Sequence, residues 1–127
     1  MTQQEKATQR GLRIHHIALR ARDLDETLAF YTGVLGLREV HAARPRSVWL
    51  ALADGSVVMV EARSADEPAI PAGSLELVAF RVSAERKAEI RSVALSRACF
   101  DGETEHTVYL RDPDGRRLGV STYPLDG

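Results

Sequence analysis

The sequence predicts an α+β fold built from two similar βαβββ halves around one small-molecule pocket. Three observations carry this. At 127 residues and 14.0 kDa the chain is one domain long. The order strand, helix, three strands occurs twice. The third strand of each half also matches residue by residue. VWLALADG at 48–55 pairs with VYLRDPDG at 108–115, so that Val48, Leu50, Asp54 and Gly55 recur 60 residues later and Trp49 matches Tyr109. ALR at 18–20 recurs as AFR at 79–81, at an offset of 61. A repeat of this size implies units that complete one core or site together.

Residues 1–11 are polar and aperiodic, and are expected to be a disordered tail. The first module is read over 12–63. RIHHIALRA has strand alternation, and DLDETLAFYTGVLG places Leu24, Leu28, Tyr31 and Leu35 at helical spacing. Asp23 suits the N-cap with Glu26 as its capping-box partner, while Gly33 and Gly36 are stop signals. LREVHA, SVWLALA and SVVMVEA follow as strands, divided by turn formers around Pro45 and at Asp54-Gly55. The Pro- and Ala-rich stretch at 64–73 reads as a surface linker. The second module, 74–124, repeats the pattern: LELVAFRV as a strand, a helix capped by Ser83, then ACF, HTVYLRD and RRLGVST as strands.

Composition excludes several classes. Seventeen basic and 18 acidic residues leave a net charge of −1, with no footprint for nucleic acid or anionic lipid. No apolar run approaches a membrane span, and MTQQEKATQR has no signal-peptide core, so the expected location is cytoplasmic. Cys99 is the one cysteine; it forms no disulfide within the chain and is read as core packing.

IHHIALRARDLDETLAFYTGVLGL followed by VYLRDPDGRRLGV resembles the vicinal oxygen chelate superfamily, which includes glyoxalase I, fosfomycin-resistance proteins, bleomycin-binding proteins and extradiol dioxygenases. The resemblance covers about residues 12–124 and implies that the strands curve into a half-open barrel around one cavity. In metal-using members it implies one ligand on the first and one on the last strand of each module. Those positions fall here on His16, Met59, Leu77 and Gly119. Leucine and glycine offer no donor, and a thioether is a poor ligand for hard or borderline divalent ions. One imidazole is far from the three protein ligands of a catalytic zinc. The expected cofactor is therefore none; the alternative is a divalent metal such as Zn, Fe, Mn or Ni at an atypical site of His16, Glu61 and His106.

Alternation puts His16, Ala18 and Arg20 on the cavity face and turns Ile17 and Leu19 toward the helix. His16 is read either as a ligand-binding or acid–base group, the candidate catalytic residue, or as a hydrogen-bonded relic of a metal site. His15 points the other way. Trp49 and Tyr109 are read as aromatic cavity walls or as core, and Met59, Leu77 and Gly119 as an apolar floor beside Glu61. Arg20 and Arg81 are candidate anion-steering groups at the rim, or solvated arginines. Arg44-Pro45-Arg46 and Arg116-Arg117 are read as surface charge. The expected function is small-molecule binding, with a small organic ligand and a homodimeric assembly. The alternatives are a glyoxalase-like lyase, an isomerase or an extradiol-dioxygenase-like enzyme, and an accessory subunit that has kept only the fold.

Overall fold

The computed structural model describes residues 2–3 and 10–125. Residues 1, 4–9, 126 and 127, and with them most of the tail expected at 1–11, lie outside the described residues.

The first module runs β1 (His16–Ala21), α1 (Leu24–Gly33), β2 (Arg38–Ala43), β3 (Ser47–Ala51) and β4 (Val57–Ala62). The second runs β5 (Leu77–Arg81), α2 (Ala84–Ser96), β6 (Phe100–Glu103), β7 (Thr107–Arg111) and β8 (Arg117–Ser121). The first sheet has the order β1-β4-β3-β2 and the second β5-β8-β7-β6. In each, the first and last strands of the module pair in parallel and the other pairs are antiparallel. This is the predicted α+β architecture of two βαβββ modules, with sheets that stay open rather than closing into a barrel.

Local chemistry places the elements. The Asp23 carboxylate accepts the Glu26 N–H at 3.0 Å, and Ser83 Oγ accepts the Arg86 N–H at 3.1 Å, so both helices start on the expected caps. The reciprocal half of the first capping box does not form. Glu26 pairs instead with Arg22 at 3.3 Å, because the arginine one turn back offers a charge that the Asp23 N–H does not. The two β-hairpins that carry the repeated motif turn at Gly55 and Gly115, with φ of +88° and +82°, a conformation that favours glycine.

Alternation then sorts the strands. Leu19 and Ala21 on β1, Val48 and Leu50 on β3, and Val58 and Val60 on β4 are buried. Val108, Leu110, Leu118 and Val120 are their counterparts in the second sheet. These side chains meet Leu28, Phe30 and Tyr31 of α1 and Ile90 and Ala94 of α2 in one core cluster shared by both modules. Full burial of each such Val or Leu contributes roughly 1.5–3 kcal/mol. Cys99 packs half-buried against this core, and burial pushes its thiol up from the ordinary value.

Candidate functional site

The residues between the buried positions form the opposite face of each sheet. In the first sheet the register aligns Ala18 with Met59, Met59 with Trp49, and Trp49 with His41. In the second it aligns Ala79 with Gly119 and Gly119 with Tyr109. The two rows are repeat-equivalent. A flanking row carries Arg20, Glu61 and Ser47 in one sheet and Arg81, Ser121 and Thr107 in the other. On the far side, His16 with Val57 matches Leu77 with Arg117. The face assignment of β1 is thus as expected: His16, Ala18 and Arg20 are exposed, Ile17 is half-buried and Leu19 buried.

Each face stands open in the single chain. Trp49 and Leu77 are 36% and 40% exposed, large values for side chains that the alternation places on a cavity wall. The cavities of 590, 530, 390 and 240 Å³ lie elsewhere, at the junction of the modules. Of the expected site residues, Arg81 lines the first two and Leu77 the last; His16, Trp49, Met59, Glu61, Tyr109, Gly119 and Arg20 line none of the four.

The four positions that the family resemblance implies for metal offer a single nitrogen donor set, that of His16. The space at Gly119 is also tight: a Cβ there would lie 3.1 Å from Thr107 Cγ2, 3.3 Å from Leu77 Cδ1 and 3.5 Å from Ala79 Cβ. A side chain there would require the ends of the Thr107 and Leu77 side chains to give by a few tenths of an ångström. These residues do not fit the usual metal. The described residues contain no group of three His, Cys, Asp or Glu side chains that could hold an ion, so His16, Glu61 and His106 are not brought together. Glu61 lies 3.4 Å from Arg20, and His106 packs edge-on against Tyr123 at 5.2 Å between ring centroids.

His16 sits at the start of β1 with its Nδ1 3.1 Å from Nδ1 of His15, the rings edge to face. His15 is exposed and, rather than simply pointing away, touches the ring of its neighbour. Arg20 is committed: its guanidinium grips Glu67 through two bonds of 2.9 and 2.8 Å and lies near Glu61. These bonds hold the Glu67 carboxyl below its usual range and raise the Arg20 guanidinium further. The Arg81 side chain makes no hydrogen bond or ion pair to a described residue. The repeat-equivalent arginines therefore differ, one bound and one available.

The structure corrects the reading of Arg116-Arg117 as surface charge. Arg116 binds buried Asp112 at 2.7 Å, and its guanidinium donates to the Arg20 carbonyl across the modules. Arg117 stacks over the Tyr109 ring at 3.9 Å from the centroid while donating to Asp101, which also holds Arg111. Tyr109 thus has a cation laid on its ring, a feature that sequence reasoning missed. Period-two alternation through Tyr109, Arg111 and the strand after DPDG was the available signal. Arg44, the first of the other basic cluster, is exposed and paired with Glu39 at 2.8 Å, which holds that carboxyl low.

Two open-faced βαβββ modules on one shared core define the class. The chain belongs to the Glyoxalase/Bleomycin resistance protein/Dioxygenase superfamily, whose family model matches residues 13–120. Among solved structures, a possible glyoxalase from Bacillus cereus superposes with a TM-score of 0.73 at 18% identity, covering 87% of this chain and 99% of that one. The genomically encoded fosfomycin resistance protein FosX from Listeria monocytogenes gives 0.74 at 17% identity, with 92% and 94% covered. Lactoylglutathione lyase from Agrobacterium tumefaciens gives 0.65 at 21% identity, with 88% and 94% covered. At these identities the likeness is one of fold. No curated protein matches the chain in sequence. No helix among the described residues is long and apolar enough to cross a membrane.

Proposed function

We propose that the protein binds a small organic molecule between its open sheet faces without the divalent metal usual in its superfamily. The observation that supports this most is the row Ala79–Gly119–Tyr109, equivalent to Ala18–Met59–Trp49. Within these rows Met59 and Gly119 stand at positions where the resemblance implies metal ligands, flanked by small and aromatic groups, and Thr107 and Leu77 press closely on Gly119. Aromatic walls with few polar groups suit planar or apolar ligands. Arg117, laid over Tyr109, adds a fixed cation for a polar or anionic substituent. The role is sequestration or carriage in the cytoplasm, of the bleomycin-resistance-like kind.

Because both faces are open to solvent in one chain, the complete pocket is assigned to a homodimer. There the first sheet of one copy faces the second sheet of its partner. Sedimentation of the purified protein at micromolar concentration tests this: the expected species is a dimer, and a monomer that still binds ligand contradicts it.

The binding reading is tested by thermal shift and by fluorescence of Trp49, the sole tryptophan. The panel is aromatic, glycopeptide and thiol-conjugate compounds. A ligand present at about 100 times its dissociation constant stabilises the fold by roughly 2.7 kcal/mol. At least one compound should do so and quench Trp49, with loss of both effects in Trp49→Ala. A panel without shift or quenching favours the accessory-subunit reading.

An enzymatic reading, with a lyase, isomerase or dioxygenase-like reaction, draws on His16. The ring is exposed on the open face, and Nδ1 is engaged by His15 while no described residue engages Nε2. That arrangement suits an acid–base group acting through Nε2. Turnover of a bound compound that disappears in His16→Ala, with binding retained, would establish it.

A further inference from the structure

The contact between the modules is built twice, once per repeat, and its two copies differ. In one copy the β7–β8 turn of the second module reaches the first module. Asp114 accepts the Arg22 N–H at 3.0 Å and the Thr27 hydroxyl at 3.3 Å, and Asp112 accepts the Tyr31 hydroxyl at 2.8 Å. In the other copy the β3–β4 turn carries Leu52 and Ala53 in place of Asp112 and Pro113. Its Asp54 folds back on Ser56, accepting the N–H at 2.9 Å and the hydroxyl at 2.6 Å, and accepts nothing from a described residue of the opposite module. Among the described residues no carboxylate crosses on this side.

What remains on that side is the 590 Å³ cavity, inside the range of roughly 300–1,000 Å³ usual for small-molecule sites. Its charged lining is of one sign: Arg38, Arg81 and Arg86, with no acidic residue. Arg86 is occupied by Glu89 at 2.9 Å and by the Leu35 carbonyl at 3.2 Å, which fixes it across the junction. The side chains of Arg38 and Arg81 bind no described residue. The 390 Å³ groove at the repeat-equivalent place is mixed, with Glu26 and Asp112 beside Arg97 and Arg111.

We propose that this cavity binds a small apolar acid, its anionic head taken by Arg38 and Arg81 and its body laid against Leu52, Phe80 and Ile90. The other copy of the junction shows the chemistry from within the chain: there a carboxylate of the protein docks beside the first helix, and here a carboxylate or sulfonate of a ligand takes the corresponding place beside α2. The site is separate from the rows of Trp49 and Tyr109 and is lined by neither.

The test is a titration of the full, nitrogen-15-labelled chain with naphthalene-2-sulfonate, followed by amide shifts, with uncharged 2-naphthol as control. Shifts are expected along residues 35–38, 51–53 and 82–86 and should saturate together. A charge-assisted bond to arginine is strong enough that Arg38→Ala with Arg81→Ala should weaken binding at least about tenfold, and 2-naphthol should bind weaker by a similar factor. Ala53→Trp, which narrows the mouth and leaves the charges in place, should weaken binding as well. Shifts confined to the strands of Trp49 and Tyr109, or an affinity indifferent to the arginine pair, would overturn the proposal while leaving the binding function of the open faces untouched.

Discussion

The Tyr31 hydroxyl donates to Asp112 across the module junction at 2.8 Å, with both side chains buried. Asp112 also takes Arg116 at 2.7 Å and the backbone N–H groups of Asp114 and Arg116, so its carboxylate is fully engaged without water. One residue thus ties the helix of the first module to the turn of the second. Tyr31→Phe should lower stability by about 2 kcal/mol in urea unfolding, the usual loss of a buried bond to a charged group. Asp112→Ala should cost more, about 3–5 kcal/mol, since it strands Arg116.

The same pair sets a limit at high pH. Burial first, and then the Asp112 charge, push the Tyr31 phenol well above its ordinary value near 10. The folded state therefore holds the proton more tightly than the unfolded chain. Its contribution is complete below about pH 10 and is lost as the pH climbs through the raised value. Absorbance titration at 295 nm should show Tyr31 ionising only as the protein unfolds, and Tyr31→Phe should remove that late step.

At the acid end the exposed Arg20–Glu67 pair gives a second titration. The Arg20 hydrogen bonds lower the Glu67 carboxyl, so its contribution is present above the ordinary carboxylate range and disappears as the pH falls through the lowered value. Carbon-13 titration of the Glu67 carboxyl should find it low in the native protein and raised in Arg20→Ala, where only the Ser64 hydrogen bonds still lower it.

Gly119 tests the crowding directly. Gly119→Glu should destabilise by about 1–3 kcal/mol, because its Cβ presses on Thr107 Cγ2 and Leu77 Cδ1, which must give way. Leu77→Ala in the same chain should recover part of the loss in a double-mutant cycle. Additive losses would mean that the two positions do not compete for space.

Much of this molecule is legible in its sequence. Strict alternation in β1 separates His16 and Arg20 from Leu19, and a 60-residue self-match lays Trp49 over Tyr109. Both are local or periodic signals. The junction is not legible, because Asp112 and Asp114 sit in a DPDG turn where aspartate is already expected for local hydrogen bonding. Nothing in that pattern tells a carboxylate that serves its own turn, as Asp54 does, from one that reaches the opposite module. The fates of Arg20 and Arg81 were hidden for a related reason. A partner at Glu67 lies in an aperiodic linker, where register gives no guide to what meets what.

The central claim, a ligand cleft that works without metal, meets its most direct test in metal content. Tag-free protein would be loaded with Mn²⁺, Ni²⁺, Zn²⁺ and Fe²⁺, desalted, and measured by elemental analysis beside His16→Ala. The predicted result is a content far below one ion per chain for every metal, unchanged by the substitution. One tightly held ion per chain, lost in His16→Ala, would contradict the account.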